Sequence, residues 1–285
     1  MDWQKYKEKL QENKVVLLAI GLILLGISLI AYTTAQKNAD KPEEPVQVCS
    51  PAEDTRGVLV LNYHKIDNKH HSLSVRVADF EQHMAWLKQY GYTSITPDEL
   101  YDFITCGAEL PEKPVMITFD DGYEDNYTNA YPIMKKYGFT GTIFVVTSFL
   151  GKYPNYLTWA QAQELEENGF NIESHTVTHQ SMTDASDEKI KKELEDSKAA
   201  IQEHLGKESK YFAYPTGTYN LHIAQMAKDA GYRAAFTIKF DNVSRQTNVY
   251  AIERVPIFHT ENTNKDFLER IQYLPLTDKY GWEKK

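Results

Sequence analysis

Two short stretches of this 285-residue chain concentrate groups able to do chemistry. The first is TFDDGYEDN, residues 118–126, where Asp120 and Asp121 stand side by side after the apolar run Val115, Met116, Ile117 and before Gly122. Adjacent carboxylates repel one another and are costly to bury unless a cation, a proton or hydrogen bonds compensate them. The second stretch is SHTVTH, which spaces His175 and His179 four residues apart. Two imidazoles and one carboxylate make a three-ligand site for a divalent cation, zinc first, with one position left open for water. Cobalt or nickel would suit the same donors. The second carboxylate is then free to move a proton. Each stretch alone has an ordinary explanation, a capping pair or a solvated loop, so the reading rests on their joint occurrence.

The elements between these groups must bring them together. From Gly57 onward short apolar runs alternate with helical segments. GVLVLNYH, PVMITF, TGTIFVV, FNIESH, YFAYP, AAFTI and ERVPIF read as strands. Phe80, Met84 and Leu87 recur at helical spacing before Gly91, and Thr96-Pro97-Asp98-Glu99 is a capping box with proline at the first helical position. A further helix ends at Tyr137 before Gly138, another opens at Thr158 with Gln161, and Ile190, Leu194, Ile201 and Leu205 form one apolar stripe ending at Gly206. Strands alternating with helices predict an α/β fold with a parallel sheet, a (β/α) barrel or an incomplete version of one. Functional groups of such barrels gather where strands end. His64, Asp120 and Asp121, His175, Pro215 to Gly217, and His259 each follow a predicted strand.

TFDDG, HTVTH, YFAYP with TGTYN, and the opening LNYHKI resemble the polysaccharide deacetylases of carbohydrate esterase family four, over approximately residues 57–260. The resemblance implies a distorted, incomplete (β/α) barrel and removal of acetyl groups from N-acetylglucosamine polymers or, less often, acetylated xylan. It implies that Asp121, His175 and His179 bind the metal and that Asp120 is the general base. It also places oxyanion or substrate contacts at Tyr214, Pro215, Thr216 and Gly217, the backbone N–H of Thr216 being an oxyanion donor that does not depend on its side chain. The chain departs from the commoner family pattern at Ala213, where an arginine is usual, and at Thr216, where an aromatic is usual. Arg254 is a candidate replacement for that arginine; the alternative is a surface ion pair with Glu253. Two histidines compete to be the general acid. His259, in Ile257-Phe258-His259, approximates the late Leu-x-His motif, and His64, after Tyr63, matches the opening motif of surface-attached poly-N-acetylglucosamine deacetylases. His64 is preferred, because the missing arginine points to that branch.

The run at residues 15–35 carries no charge, and as a helix rising 1.5 Å per residue it would cross a bilayer core of ~30 Å. Lys5, Lys7, Lys9 and Lys14 precede it, so the positive-inside rule puts residues 1–14 in the cytoplasm and the remainder outside, with a cleaved signal peptide as the rival. Residues 36–56 read as an extracytoplasmic linker and 57–285 as the catalytic domain. A disulfide between Cys49 and Cys106 is one of two open readings, the other being unrelated thiols. A formal charge of -9 argues against a nucleic-acid partner. The expected partner is an N-acetylglucosamine-containing polysaccharide at the cell surface, exopolysaccharide or wall. Tyr123, Tyr153, Tyr156, Trp159, Tyr214 and Tyr219 are candidates to stack on sugar rings, or core and rim residues. His70, His71, His83, His204 and His222 read as solvated or structural. An O-acetyl esterase with the same metal site, or a silent glycan-binding module of the same fold, are the alternatives.

Overall fold

Strand propensity and twofold alternation show directly in where the side chains go. The computed structural model describes residues 57–280 apart from 70, 261 and 262, so the expected membrane span, its cytoplasmic flank, the linker with Cys49, and His70 lie outside the described residues. Among the described residues no helix is long and apolar enough to cross a membrane.

Among the described residues ten strands form: β1 (Leu59–Tyr63), β2 (Lys65–Ile66), β3 (Ser74–Val75), β4 (Thr93–Ser94), β5 (Pro114–Asp121), β6 (Thr142–Val145), β7 (Asn171–Ser174), β8 (Tyr211–Ala213), β9 (Ala234–Phe236) and β10 (Val255–Pro256). The main sheet runs β10-β1-β5-β6-β7-β8-β9, every pairing parallel, with β4 alongside the start of β5. The two ends of this path meet through one segment. Ile252 bridges Phe236 of β9, and three residues later Val255 pairs with Leu61 of β1. The expected incomplete (β/α) barrel is therefore a parallel sheet whose edges are joined by residues 252–256.

Alternate residues of each strand divide between two cores. Val115, Ile117 and Phe119 of β5 pack outward with Leu61, Ile143 and Ile172 beneath the helices. Met116 of β5 packs inward with Val60, Phe144, Ala213 and Phe236. Thr118 and Asp120 share the inward face of Met116, and the same rule puts Asn62 inside on β1. Polar residues thus replace apolar ones on the inner face toward the strand C-termini, and this determines where the site can be.

Among the described residues seven helices cover the sheet: α1 (Val77–Gln89), α2 (Pro97–Cys106), α3 (Tyr131–Tyr137), α4 (Trp159–Glu167), α5 (Asp187–Leu205), α6 (Leu221–Asp229) and α7 (Thr263–Tyr280). The first five fall where periodicity and caps predict them. Both capping boxes form, Thr96 with Glu99 on α2 and Thr158 with Gln161 on α4. Sequence reading misses α6, α7, the pair β2 and β3, and a π-helical turn at Asn126–Ala130 that leads into α3. The two-residue strands are too short to show a period, and a π turn has no sequence signature of its own.

The α2 cap is half-buried and sits beside the start of β5, where the Ile95 N–H donates to the Val115 carbonyl, away from the end that carries Asp120 and Asp121. Thr96→Ala is expected to lower stability by about 1 kcal/mol in chemical denaturation.

Candidate active site

The end of β5 supplies two carboxylates with different surroundings. In a regular strand neighbouring side chains point to opposite faces, so Asp120 inside would force Asp121 outside. The chain avoids this by turning: Asp121 takes φ 75° and Gly122 φ 75°, a left-handed conformation that re-aims the second carboxylate toward the strand C-termini. Asp120 is buried and Asp121 nearly so.

Asp120 is held by Arg254. The guanidinium donates to Asp120 Oδ1 at 2.7 Å and Oδ2 at 2.8 Å, to Thr118 Oγ1 at 3.2 Å and to the Thr237 carbonyl at 2.7 Å, with no solvent exposure. This is the two-pronged geometry that suits arginine to carboxylates. Burial is the largest single influence and acts to raise the Asp120 carboxyl, but the charge and hydrogen bonds of Arg254 together with His175 and His64 outweigh it; Asp120 lies well below the usual carboxylate range. The alternative pairing of Arg254 with Glu253 does not occur. Glu253 accepts from Lys239 at 3.2 Å on the outside, because successive residues of this extended segment face opposite ways.

Asp121 faces two imidazoles. Its Oδ1 lies 3.5 Å from His175 Nε2 and 3.3 Å from His179 Nε2. His175 Nδ1 sits 2.8 Å from the Ala213 carbonyl, which can only accept, so Nδ1 carries the proton and Nε2 presents its lone pair to Asp121. Burial pushes His175 down from its ordinary value against the pull of Asp120 and Asp121, which favours the neutral, ligating form. The three donor atoms lie within 4.8 Å of one another. Ligands at the usual zinc distances on tetrahedral corners would stand ~3.3 Å apart, so this donor set fits a divalent cation with little rearrangement.

The loop that presents His179 is tied to α5. Buried Glu193 accepts from Val177 N–H at 2.9 Å, Thr178 N–H at 2.8 Å and Thr178 Oγ1 at 2.6 Å. Thr176 Oγ1 accepts from His179 N–H at 3.2 Å, and Ser174 Oγ from Thr176 N–H at 3.1 Å. Among the described residues, four of the five non-glycine positions with positive φ are Asp121, Thr176, His179 and Thr216. Backbone strain is therefore concentrated where the functional groups are aimed, which holds only when surrounding bonds over-determine the geometry.

A cavity of about 250 Å³ lies above these groups, lined by His64, Leu73, Asp120, Asp121, His175, His179, Tyr214, Thr216, Gly217, Ile238 and Phe258. One polar wall carries the carboxylates and imidazoles, and Leu73, Ile238 and Phe258 make an apolar one. Gly217 has φ 71°, and a Cβ there would meet Ile238 Cγ1 at 2.2 Å, so only glycine lets the chain pass this wall.

The whole chain was compared with known proteins. YxkH of Bacillus subtilis, a protein provisionally named a polysaccharide deacetylase, is 33% identical over 84% of this chain and 93% of its own length. The chain belongs to the polysaccharide deacetylase family. The family profile for polysaccharide deacetylase matches residues 107–235. A poly-β-1,6-N-acetyl-D-glucosamine N-deacetylase of Staphylococcus aureus is 26% identical over 86% of this chain and 92% of its own. Among solved structures, the Streptococcus pyogenes deacetylase PplD, determined with acetate, superposes with a TM-score of 0.72 at 27% identity, covering 78% of this chain and all of that one. The protein is a hydrolase, and the bond its family cleaves is the N-acetyl amide of a glycan.

In this polysaccharide deacetylase, strand C-termini bring together every sequence-predicted group but one. His64, the two aspartates, the two histidines, Tyr214, Thr216 and Gly217 line the cavity, Pro215 is buried beside them, and Arg254 reaches Asp120 from within the barrel. His259 is not among the lining residues; its neighbour Phe258 takes that place. The aromatics divide. Tyr123, Tyr156, Phe149 and Tyr153 form one connected cluster, whereas Trp159 stacks on His204 at 4.3 Å and Tyr214 is a buried anchor bonded to the Tyr250 carbonyl. His83 is buried and structural, its imidazole pushed down to about 3 chiefly by burial. Sequence reading missed Leu73, Ile238 and Phe258, for which isolated apolar residues beside strand ends were the available signal, and Glu193, which helical periodicity places on the buried stripe of α5 beside Leu194 and Ile190.

Two measurements follow from this geometry. Arg254→Met leaves Asp120 buried without its partner and is expected to cost about 3–5 kcal/mol, much of it recovered in the double variant with Asp120→Asn. Because the Asp120 carboxyl is depressed in the folded protein, the stability the pair contributes is present above the ordinary carboxylate range and fades as pH falls toward the depressed value, so the gap between wild type and Arg254→Met should narrow in acid. Glu193→Ala removes three bonds from the His179 loop and is expected to weaken divalent-cation binding roughly 10–100-fold in a chelator competition and to lower the unfolding midpoint of the metal-free protein as well, because two backbone N–H groups lose their acceptor.

Proposed function

We propose that this protein is a metal-dependent N-deacetylase that removes acetyl groups from N-acetylglucosamine residues of a glycan at its own cell surface. The observation that carries the reading is the division of one aspartate pair between two partners, Asp120 with buried Arg254 and Asp121 with two imidazoles, beneath a single cavity. Similarity to the staphylococcal poly-β-1,6-N-acetyl-D-glucosamine N-deacetylase supports the substrate class. The uncharged run at residues 15–35 supports attachment to the membrane with the catalytic domain outside, where surface glycans are.

Asp121, His175 and His179 would hold the cation, zinc in this reading. That cation would acidify a water and draw the acetyl carbonyl oxygen toward negative charge. Asp120, kept ionised and oriented by Arg254, accepts the proton of the attacking water. The Thr216 N–H, presented at the cavity by the left-handed turn Thr216-Gly217, donates to the oxygen on which charge develops. His64 gives a proton to the glucosamine nitrogen as the C–N bond breaks, so the products are acetate and a free amine. Leu73, Ile238 and Phe258 face this chemistry with apolar surface, which excludes water and strengthens each charge interaction within.

The test is acetate release by the full chain, stripped of metal and reloaded with zinc or cobalt, on β-1,6- and β-1,4-linked N-acetylglucosamine oligomers, peptidoglycan and acetylxylan. Metal-dependent release from an N-acetylglucosamine polymer that falls at least 10³-fold in Asp120→Asn is expected. Release from acetylxylan alone would replace this reading with an esterase, and metal binding without release from any of the four would replace it with a binding module.

A further inference from the structure

His64 has an unusual setting for a group that must deliver a proton to a defined atom. Catalytic imidazoles are commonly aimed by a hydrogen bond to the ring nitrogen away from the reaction. Here His64 Nδ1 is buried and has no hydrogen-bond partner among the described residues, and the ring's aromatic neighbour is Phe258, 6.5 Å away between centroids. Its side chain is not what holds it in register with Asp120. The backbone that carries it must do so, although it leaves the sheet at the end of β1, where connecting segments are ordinarily the more mobile part of a barrel.

That backbone is gripped from one turn. Asn126 Nδ2 donates to the His64 carbonyl at 2.8 Å, Asp125 Oδ1 accepts from the Ile66 N–H at 2.9 Å, and Asn129 Nδ2 donates to the Ile66 carbonyl at 2.8 Å. Asn126 also donates to Asp125 Oδ1 at 3.0 Å, which locks the two side chains together. The other edge of β2 is taken by β3, so both edges of the strand following His64 are held. All three gripping residues lie within eight positions of Asp121, on the turn that follows the aspartate pair. The π-helical turn, closed by the Tyr131 N–H on the Asn126 carbonyl, brings Asn126 and Asn129 to one side of the chain. Such turns are rare and tend to mark functional sites. Asn126 has no solvent exposure, so its amide bonds replace water that is absent there.

We propose that Asn126, assisted by Asp125 and Asn129, is the positioning residue that sets the distance of His64 from the Asp120 and Asp121 carboxylates, coupling the proton donor to the base through a single turn of chain. This rests on the reading of His64 as the proton donor. None of the three side chains is required to touch substrate. Their effect runs through the His64 backbone, and it predicts a loss of rate without a loss of binding.

The experiment is a double-mutant cycle in the full chain, loaded with zinc and assayed by acetate release from a β-1,6-linked N-acetylglucosamine oligomer. Asn126→Ala is expected to lower kcat roughly 10–100-fold with KM and zinc affinity unchanged. In the His64→Ala background the same substitution should have no further effect, because the group it positions is gone. Asn129→Ala, at a half-buried site less critical for folding, should repeat the pattern at smaller amplitude and covers the case in which Asn126→Ala does not fold. By NMR, the His64 ring resonances should shift or broaden in either asparagine variant while those of His175 stay in place. Full additivity of Asn126→Ala and His64→Ala, or an unmoved His64 ring, overturns the positioning role and leaves the deacetylase reading intact. A His64→Ala protein as active as wild type overturns the proton-donor reading, and the positioning proposal with it.

Discussion

A fully buried guanidinium and a carboxylate that is exposed only slightly, at the cavity, meet inside the barrel, and the geometry of the site depends on that contact. Two buried ions are expensive to desolvate, and their attraction offsets the expense only with full hydrogen bonding. Arg254 achieves this by reaching Asp120 with two bonds, Thr118 with one and the Thr237 carbonyl with another. Those partners belong to β5 and to the residue after β9, and Arg254 itself lies in the segment that joins β9 to β1. The ion pair that keeps Asp120 charged therefore also ties together the edges of the sheet. A residue that had only to neutralise a carboxylate could sit on a surface loop; one that must also close a barrel has to be inside it.

Once Asp120 is committed to Arg254, its neighbour must face elsewhere, and strand geometry alone would send it into the outer core among Ile117 and Phe119. The left-handed turn at Asp121 and Gly122 is the backbone solution, and similar turns aim His179 and Thr216. Each is a conformation that L-residues with side chains avoid; Glu193 holds the histidine loop from α5, and the Leu157 N–H donates to the Gly122 carbonyl at 2.9 Å. The site is a set of locally unfavourable conformations imposed by a well-packed scaffold. That is why its residues sit at strand ends, where the chain leaves the ladder and can be bent.

The cavity joins these parts into one reaction volume. Charge-bearing groups line one wall and Leu73, Ile238 and Phe258 the other, so a carbonyl placed between them would meet polarising groups on one side and little water on the other. The close fit of Gly217 against Ile238 brings the chain up to the apolar wall of this volume.

Much of this was legible beforehand for reasons that differ by element. The strands and α1 to α5 were readable because their signals are local: alternation, 3.6-residue stripes, capping boxes, and glycines past helix ends. The aspartate pair and HTVTH stood out because charged and ligating residues next to buried runs need compensation that local structure cannot provide. The short β2 and β3 were not readable because two residues show no period, nor the π turn because it has no signature of its own; ERVPIF read as a strand, but that it closes the sheet depends on partners far away in the chain. The same holds within the site. Residue types marked a carboxylate pair and two imidazoles as groups whose partners local structure could not supply. Only the tertiary structure decided that Arg254 rather than a residue near Ala213 would hold Asp120, that His64 rather than His259 would line the cavity, and that Glu193 would anchor the loop carrying His179. Those choices are made by contacts between strands and helices distant in sequence, where which side chain reaches which atom depends on register and closure rather than on composition.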